Sequence, residues 1–276
     1  MNNRIPAVLT IAGSDSGGGA GIQADLRTFH TFRVYGCSVI TAVTAQNPCE
    51  VRRVDVMPAD SVKSQLECVL DQFPVQFAKT GMLANCEIIE CVAELAEKYA
   101  LQLIVDPVMV STSGARLLEE PAVAAMQNVL FPLARWITPN IPEAELLCAR
   151  PLKSPADLAV AAQQLYERYH CNVILKSGHA ISSDQAVDIV CYQGKLFTLS
   201  SPAVSIKSNT AHGTGCTLSA ALTANFATGK NWQEVLIAAK AFVYGSLNEH
   251  MCVSDTLAQM YPPLNNYSDK VRLNEL

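Results

Sequence analysis

Short β-branched runs alternate with longer segments of helical spacing along this chain. VLTIAG (8–13), SVITAV (38–43), LQLIVDPVM (101–109), WITPN (136–140) and NVILKSG (172–178) predict strands. Several are apolar throughout, the pattern of parallel strands covered on both faces. Between them, DSVKSQLECVLDQF, EIIECVAELAEKY, PADLAVAAQQLYERY and NWQEVLIAAKAFVYGSL predict helices. In the first of these, Val62, Leu66, Val69 and Phe73 fall on one face. Such a βαβ series implies an α/β fold, with a mostly parallel sheet between two helical layers. AVDIVCYQGKLFTLSS (186–201) breaks the alternation and predicts a hairpin turning at Gln193 and Gly194, an antiparallel addition to the sheet. With no repeat and no linker, residues 1–276 read as one domain, and the polar stretch after Ser254 is expected to pack loosely.

Composition narrows the picture. Half of the 276 residues are hydrophobic and 16% are charged, which suits a large core and argues against disorder. The net charge of −5, without any Lys/Arg run, speaks against a nucleic-acid groove or an anionic membrane surface as partner. The ten cysteines include no C-x-x-C; Cys86 and Cys91 share a helical stretch and the others are dispersed. They read as reduced thiols of a cytoplasmic protein. The apolar run 7–12 leads into GSDSGGGAG without a cleavage signature, and no uncharged apolar run reaches the ~18 residues of a membrane span.

Several strand ends carry candidate chemistry, each with a bland alternative. GSDSGGGAGIQAD (13–25) follows the first strand and opens a helix, its glycines allowing close backbone approach and Gln23 and Asp25 adding polar groups. It fits neither the dinucleotide G-x-G-x-x-G pattern nor the P-loop, and a structural glycine turn explains it too. Asp106, in DPVM, ends the most apolar strand, as a ligand-facing acid or a loop cap. In TPNIPEAELL, Asn140 and Glu143 stand three apart, either as a helix cap or as a pair orienting hydrated Mg²⁺. Lys176, in LKSGH, finishes another strand where an anionic ligand would pair it. His30, His170 and His250 read as surface or packing residues, while His179 and His212 adjoin candidate loops. The strongest signal is NTAHGTGCTLSAALTA (209–224): Gly213, Thr214 and Gly215 turn backbone amides toward one point, and a helix starting near Cys216 adds its positive end. That array suits a transferring phosphoryl group.

Taken in order, GSDSGGGAGIQAD, TAVTAQN, KTGML, DPVM, TPNIPEAELL, LKSGH and HGTGCT resemble the hydroxymethylpyrimidine/phosphomethylpyrimidine kinases of thiamine biosynthesis, members of the ribokinase-like superfamily. The resemblance runs from about Val8 to Ala224. It implies a three-layer α/β/α sandwich, ATP and Mg²⁺, and two successive phosphorylations of a pyrimidine alcohol and its monophosphate. It also implies a pyrimidine pocket of Asp25, Gln46, Met82 and Val108. Mg²⁺ and phosphates would meet Asn140, Glu143 and Asp106, with Lys176 beside the ATP phosphates. Gly213, Thr214, Gly215 and Cys216 would form the anion-hole turn, Cys216 standing where most ribokinase-like enzymes carry an aspartate base. A thiol at a helix start is expected to have a lowered pKa and to take the alcohol proton. Ala211 replaces a threonine usual in that turn, Thr112 replaces a lysine common after DPVM, and the usual glycine-histidine-rich ending is missing. Relatives of this kind are often homodimers. A pyridoxal kinase is the nearest competing expectation, and a catalytically silent pyrimidine sensor is one from another class.

Overall fold

The computed structural model describes residues 4–110, 117–178, 182, 184–205, 212–254 and 257–276. Thr112, His179 and Ala211, singled out above, lie outside the described residues. In chain order the elements are β1 (Ala7–Asp15), α1 (Gly21–Thr31), β2 (Tyr35–Asn47), β3 (Glu50–Val56), α2 (Ala59–Leu70), β4 (Phe77–Thr80) and α3 (Cys86–Lys98). They continue with β5 (Gln102–Val105), α4 (Glu120–Ala125), β6 (Ala134–Ile137), α5 (Ile141–Cys148), α6 (Pro155–Tyr169), β7 (Asn172–Leu175), β8 (Gln185–Tyr192) and β9 (Lys195–Pro202). The chain closes with α7 (Thr214–Ala227), α8 (Trp232–Asn248), β10 (Met251–Ser254), β11 (Leu257–Gln259) and β12 (Arg272–Glu275).

Ten strands form one sheet in the order β12-β9-β8-β7-β6-β5-β4-β1-β2-β3. The central run from β2 to β7 is parallel, as its apolar strands predict. The hairpin of β8 and β9 adds to it antiparallel, turning at Gln193 and Gly194. The pleat sorts successive side chains to opposite layers. On β5, Leu103 and Val105 face one core with α2, α3 and α6, whereas Ile104 faces the other with α7 and α8. On α2, Val62 and Leu66 are fully buried and Val69 partly so, and Phe73, just past the end of the helix, is partly buried as well.

Two edge features depart from expectation. β3, EVRRVDV, has every position exposed, so no burial pattern marks it; it is held by antiparallel pairing to β2. The polar C-terminal stretch does not simply pack loosely, because β12 pairs with β9 from Arg272↔Ser200 to Glu275↔Phe197 and becomes the sheet's other edge. Ladder hydrogen bonds, rather than apolar periodicity, specify both.

α7 lies in the middle of its layer, buried without a break from Thr217 to Phe226. Small side chains let α1, α8 and the sheet approach it, and its polar ones bond their own helix backbone. Ser219 Oγ donates to Gly215 O (3.1 Å), Thr223 Oγ1 to Ser219 O (2.8 Å) and Asn225 Nδ2 to Ala221 O (2.8 Å). Ala220, fully buried against Val8 and Phe29, leaves no room for growth. Ala220→Leu is expected to lower stability by about 1–3 kcal/mol, read from the urea midpoint.

Candidate functional site

The parallel strands all point one way, so their carboxyl ends and following loops gather along one edge of the sheet. β1 delivers the glycine loop, β4 and β5 deliver Met82 and Asp106, β6 delivers Asn140, and β7 delivers Lys176. α7 aims its N-terminus at the same place.

The start of α7 is fixed by a backbone contact that only glycine permits. Gly213 caps the helix in the left-handed region (φ 85°), and a Cβ there would stand 1.9 Å from Gly19 O. Gly21, also left-handed, would meet Gly13 O at 2.4 Å. The turn and the loop after β1 are therefore pressed together. Thr214 occupies the first helical position, and the opening turn of such a helix presents amides that the helix itself does not use. A methyl on Gly215 would lie 3.1 Å from Lys176 Nζ and 3.3 Å from Asp106 Oδ2, so the helix start and that ion pair are in contact.

Lys176 Nζ donates to Asp106 Oδ1 at 2.8 Å, and Thr138 Oγ1 donates to the same oxygen at 3.2 Å. Burial works against the Lys176 ammonium, but the charges of Asp106 and Glu143 hold its pKa above the ordinary lysine range. Asn140 and Glu143 form a reciprocal cap at the start of α5. Glu143 N donates to Asn140 Oδ1 (2.9 Å), and Asn140 N donates to Glu143 Oε2 (2.8 Å). Glu143 Oε1 also accepts from Met109 N at 3.0 Å, tying the loop after β5 to the helix. Burial pushes the Glu143 carboxyl up to about 7, with the Lys176 charge pulling it down and Asp106 pushing it up. The helix-cap reading of this pair is thus realised, and the metal reading rests on whatever coordinating capacity remains.

Among the described residues, no group of three or more His, Cys, Asp or Glu side chains is set to hold a bare metal ion. An oxygen-rich set that leaves a hydrated ion its waters is a different matter. Asp106 and Glu143 supply carboxylate oxygens, each with lone pairs beyond the hydrogen bonds described. This matches the sparse protein ligation of Mg²⁺.

The proposed pyrimidine residues are only partly gathered. Gln46 lies at a bulge in the β2–β3 ladder; its Nε2 is 3.2 Å from His212 Nε2, while His212 Nε2 is 3.2 Å from Asp15 Oδ2. Met82 borders Gly13, where a Cβ would meet its Cε at 3.0 Å, and its carbonyl accepts from Thr41 Oγ1. Val108 is a β-branched residue in the left-handed region (φ 46°), a conformation that costs about 1–3 kcal/mol. Asp25 is fully buried, and its contacts run inward: Thr10 Oγ1 donates to Oδ2 at 2.6 Å, and Lys79 Nζ lies 3.1 and 3.0 Å from Oδ1 and Oδ2.

Lys79 was not among the residues expected to matter, although KTGML contains it. Its side chain is 0% exposed; burial is the largest effect and works against the charge, but Asp25, by charge and hydrogen bond, together with Asp106 holds the pKa above the ordinary lysine range, so the ammonium persists. Asp15, likewise unremarked in GSDSGG, organises its own loop by accepting from Gly17 N and Ala20 N, both at 2.8 Å. Burial works to raise its pKa, and His212 with those two amides holds it below the ordinary value.

Cys216 corrects one expectation. Burial pushes its thiol up to about 11, with Asp25 and Asp106 adding to the rise. Lys79 and the Gly21 amide pull the other way and do not prevail. The helix start is present, but loss of water around the sulfur outweighs it, so the free enzyme holds a neutral thiol at pH 7.

A glycine-capped helix start beside a lysine–aspartate pair, beyond the strand ends of this sheet, is the arrangement of a ribokinase-like phosphotransferase. The phosphomethylpyrimidine kinase family pattern matches residues 15–260, and the chain belongs to that family. It is 43% identical to a hydroxymethylpyrimidine/phosphomethylpyrimidine kinase of Haemophilus influenzae, over 97% of this chain and 98% of the relative. Among solved structures it resembles the pyridoxal kinase of Staphylococcus aureus, with TM-score 0.88, 33% identity, and 99% and 100% of the two chains covered. A phosphomethylpyrimidine kinase from Clostridium difficile superposes with TM-score 0.75 at 38% identity, covering 87% of this chain and 98% of that one.

Gly213→Ala is expected to abolish most turnover, because the added methyl forces Gly213 and Gly19 apart; ADP release alongside a circular-dichroism melt checks this. Glu143 gives a pH signature. Its carboxyl titrates at about 7 when folded against an ordinary 4.5, so the folded protein binds the extra proton between those values. Stability from this group therefore falls as pH rises through that window. Glu143→Gln is expected to flatten that part of the pH profile of urea midpoints.

Proposed function

We propose that this protein transfers the γ-phosphoryl group of ATP to the hydroxymethyl group of hydroxymethylpyrimidine, then to the resulting monophosphate. The single observation carrying this reading is the Gly213–Cys216 helix start in contact with the Lys176–Asp106 pair. It is joined by the chain's identity to kinases named for these two substrates.

The pyrimidine lies between Gln46, Met82 and Val108, with Asp25 beneath. The Gln46 amide both donates and accepts, as an aminopyrimidine edge requires. The alcohol faces Cys216, and the amides opening α7 receive the negative charge that develops on the phosphoryl oxygens. Lys176 binds the phosphate side. It is released from Asp106 as the ATP charge arrives, and the fixed strand ends hold the reacting groups in line. Asp106 and Glu143, with Asn140 orienting Glu143, hold hydrated Mg²⁺ when it is bound, and that ion neutralises phosphate charge. In the first phosphorylation the thiolate form of Cys216, reached by loss of its proton to solvent and favoured by the Lys79 ammonium below it, accepts the alcohol proton and returns to the neutral thiol. In the second the nucleophile is a phosphate that needs no base.

Pyridoxal kinase is the second reading, favoured by the closeness of the Staphylococcus aureus structure. ADP release measured with hydroxymethylpyrimidine, its monophosphate and pyridoxal separates the two; a clear preference for pyridoxal overturns the pyrimidine assignment. Cys216→Ala is expected to slow the first phosphorylation by about 10²–10⁴-fold and to leave the second much less affected. With the thiol pKa at about 11, wild-type kcat for the first step rises with pH above neutrality, and the variant loses that slope. Equal losses in both steps remove the base role.

A further inference from the structure

A second buried lysine–carboxylate pair lies just behind the site. Lys240, on α8, is 6% exposed, and its Nζ donates to Asp188 Oδ2 at 2.7 Å. Asp188, on β8, is 4% exposed, and its other oxygen accepts the Ser177 amide N–H at 3.2 Å. Ser177 is the residue after Lys176, whose backbone is held from the opposite side. Lys176 N donates to Pro139 O at 2.8 Å, and the residue bridges to Asn140. Ser177 Oγ bonds Val187 O, and Val187 N donates to Gly178 O at 3.0 Å. The backbone carrying the Lys176 ammonium is therefore clamped between the loop after β6 and one carboxylate of β8.

A neutral acceptor would satisfy the Ser177 amide equally well. A buried ion pair loses the hydration of both charges and is a poor device for stability alone. What the pair adds is direction. With both oxygens engaged, Asp188 has one orientation, and α8 supplies the cation that fixes it. The space around Lys240 bears on how a change would be felt. A cavity of about 60 Å³, lined by Ala186, Val204, Val243 and Leu247, adjoins the lysine stem. Removing the partner charge lets the lysine move rather than forcing the layer apart.

We propose that Asp188 and Lys240 are positioning residues for nucleotide binding: the pair fixes the Ser177 amide and so aims Lys176 at the phosphate groups beside the Gly213–Cys216 turn. This rests on the assignment of Lys176 to the ATP phosphates. The test measures ATP affinity by titration calorimetry without any acceptor alcohol, and KM for ATP and for the pyrimidine separately. A wrong alcohol assignment thus leaves the calorimetric arm intact. Asp188→Asn is expected to weaken ATP binding about tenfold, the loss of one hydrogen bond to a charged group. The pyrimidine KM stays within about twofold of wild type. Lys240→Arg retains the affinity and Lys240→Met loses it. In a Lys176→Met background, Asp188→Asn adds no further loss, because the residue it positions is gone. If the loss is the same in both backgrounds, or if both KM values rise together with a fall in melting temperature, the role is structural and the proposal fails. Should Asp188→Asn not fold, Lys240→Gln, which keeps a donor without the charge, carries the same test.

Discussion

The close approach of Gly213 to Gly19 is the contact on which the rest of the site depends. It brings together segments almost two hundred residues apart and sets where α7 begins, leaving no room for even a methyl group. From that one placement follow the position of Gly215 against Lys176 and Asp106 and that of Cys216 above Lys79 and Asp25. The sheet supplies strand ends, but the helix start turns them into a surface that can receive transferable charge. Because α7 is buried from Thr217 to Phe226, the start cannot shift without disturbing both neighbouring helices.

Charge is managed by pairing. Lys79 with Asp25, Lys176 with Asp106 and Lys240 with Asp188 each join elements that are distant in sequence. They grade in exposure from Lys79, fully buried, to Lys176, the most accessible of the three lysines. That order matches the roles proposed for them: the deepest pair as a fixed floor, the middle pair as a brace, and the outermost as the one that exchanges Asp106 for an incoming phosphate. Glu143 is different, since its partners are backbone amides and its ionisation is poised near neutrality.

Much of the architecture is readable from the chain. The apolar runs identify the central strands, PADLAVAAQQLYERY coincides with α6, and Gln193 and Gly194 mark the hairpin turn. β3 and β12 are unreadable because exposed strands carry no alternation; their partners, not their own residues, define them. The site's outline was equally legible where glycines and strand ends coincide, at Gly213, Asp106, Asn140 and Lys176. Lys79 was not, because FAKT is too short to show that its lysine points inward, and its partner Asp25 lies in another element. Asp188 offered a clue: an acid amid the apolar run of AVDIVCY. The direction of the Cys216 pKa shift is not legible, because sequence reveals a helix start but not the depth at which a sulfur sits.

That depth has a further consequence, for chemical durability. Thiolates, not thiols, react readily with peroxides and disulfides. A sulfur whose pKa is pushed up to about 11 is protonated at rest. Its protonated resting state therefore guards the half-buried Cys216 from oxidation between turnovers, while Cys49, Cys68 and Cys252 stand exposed on the surface.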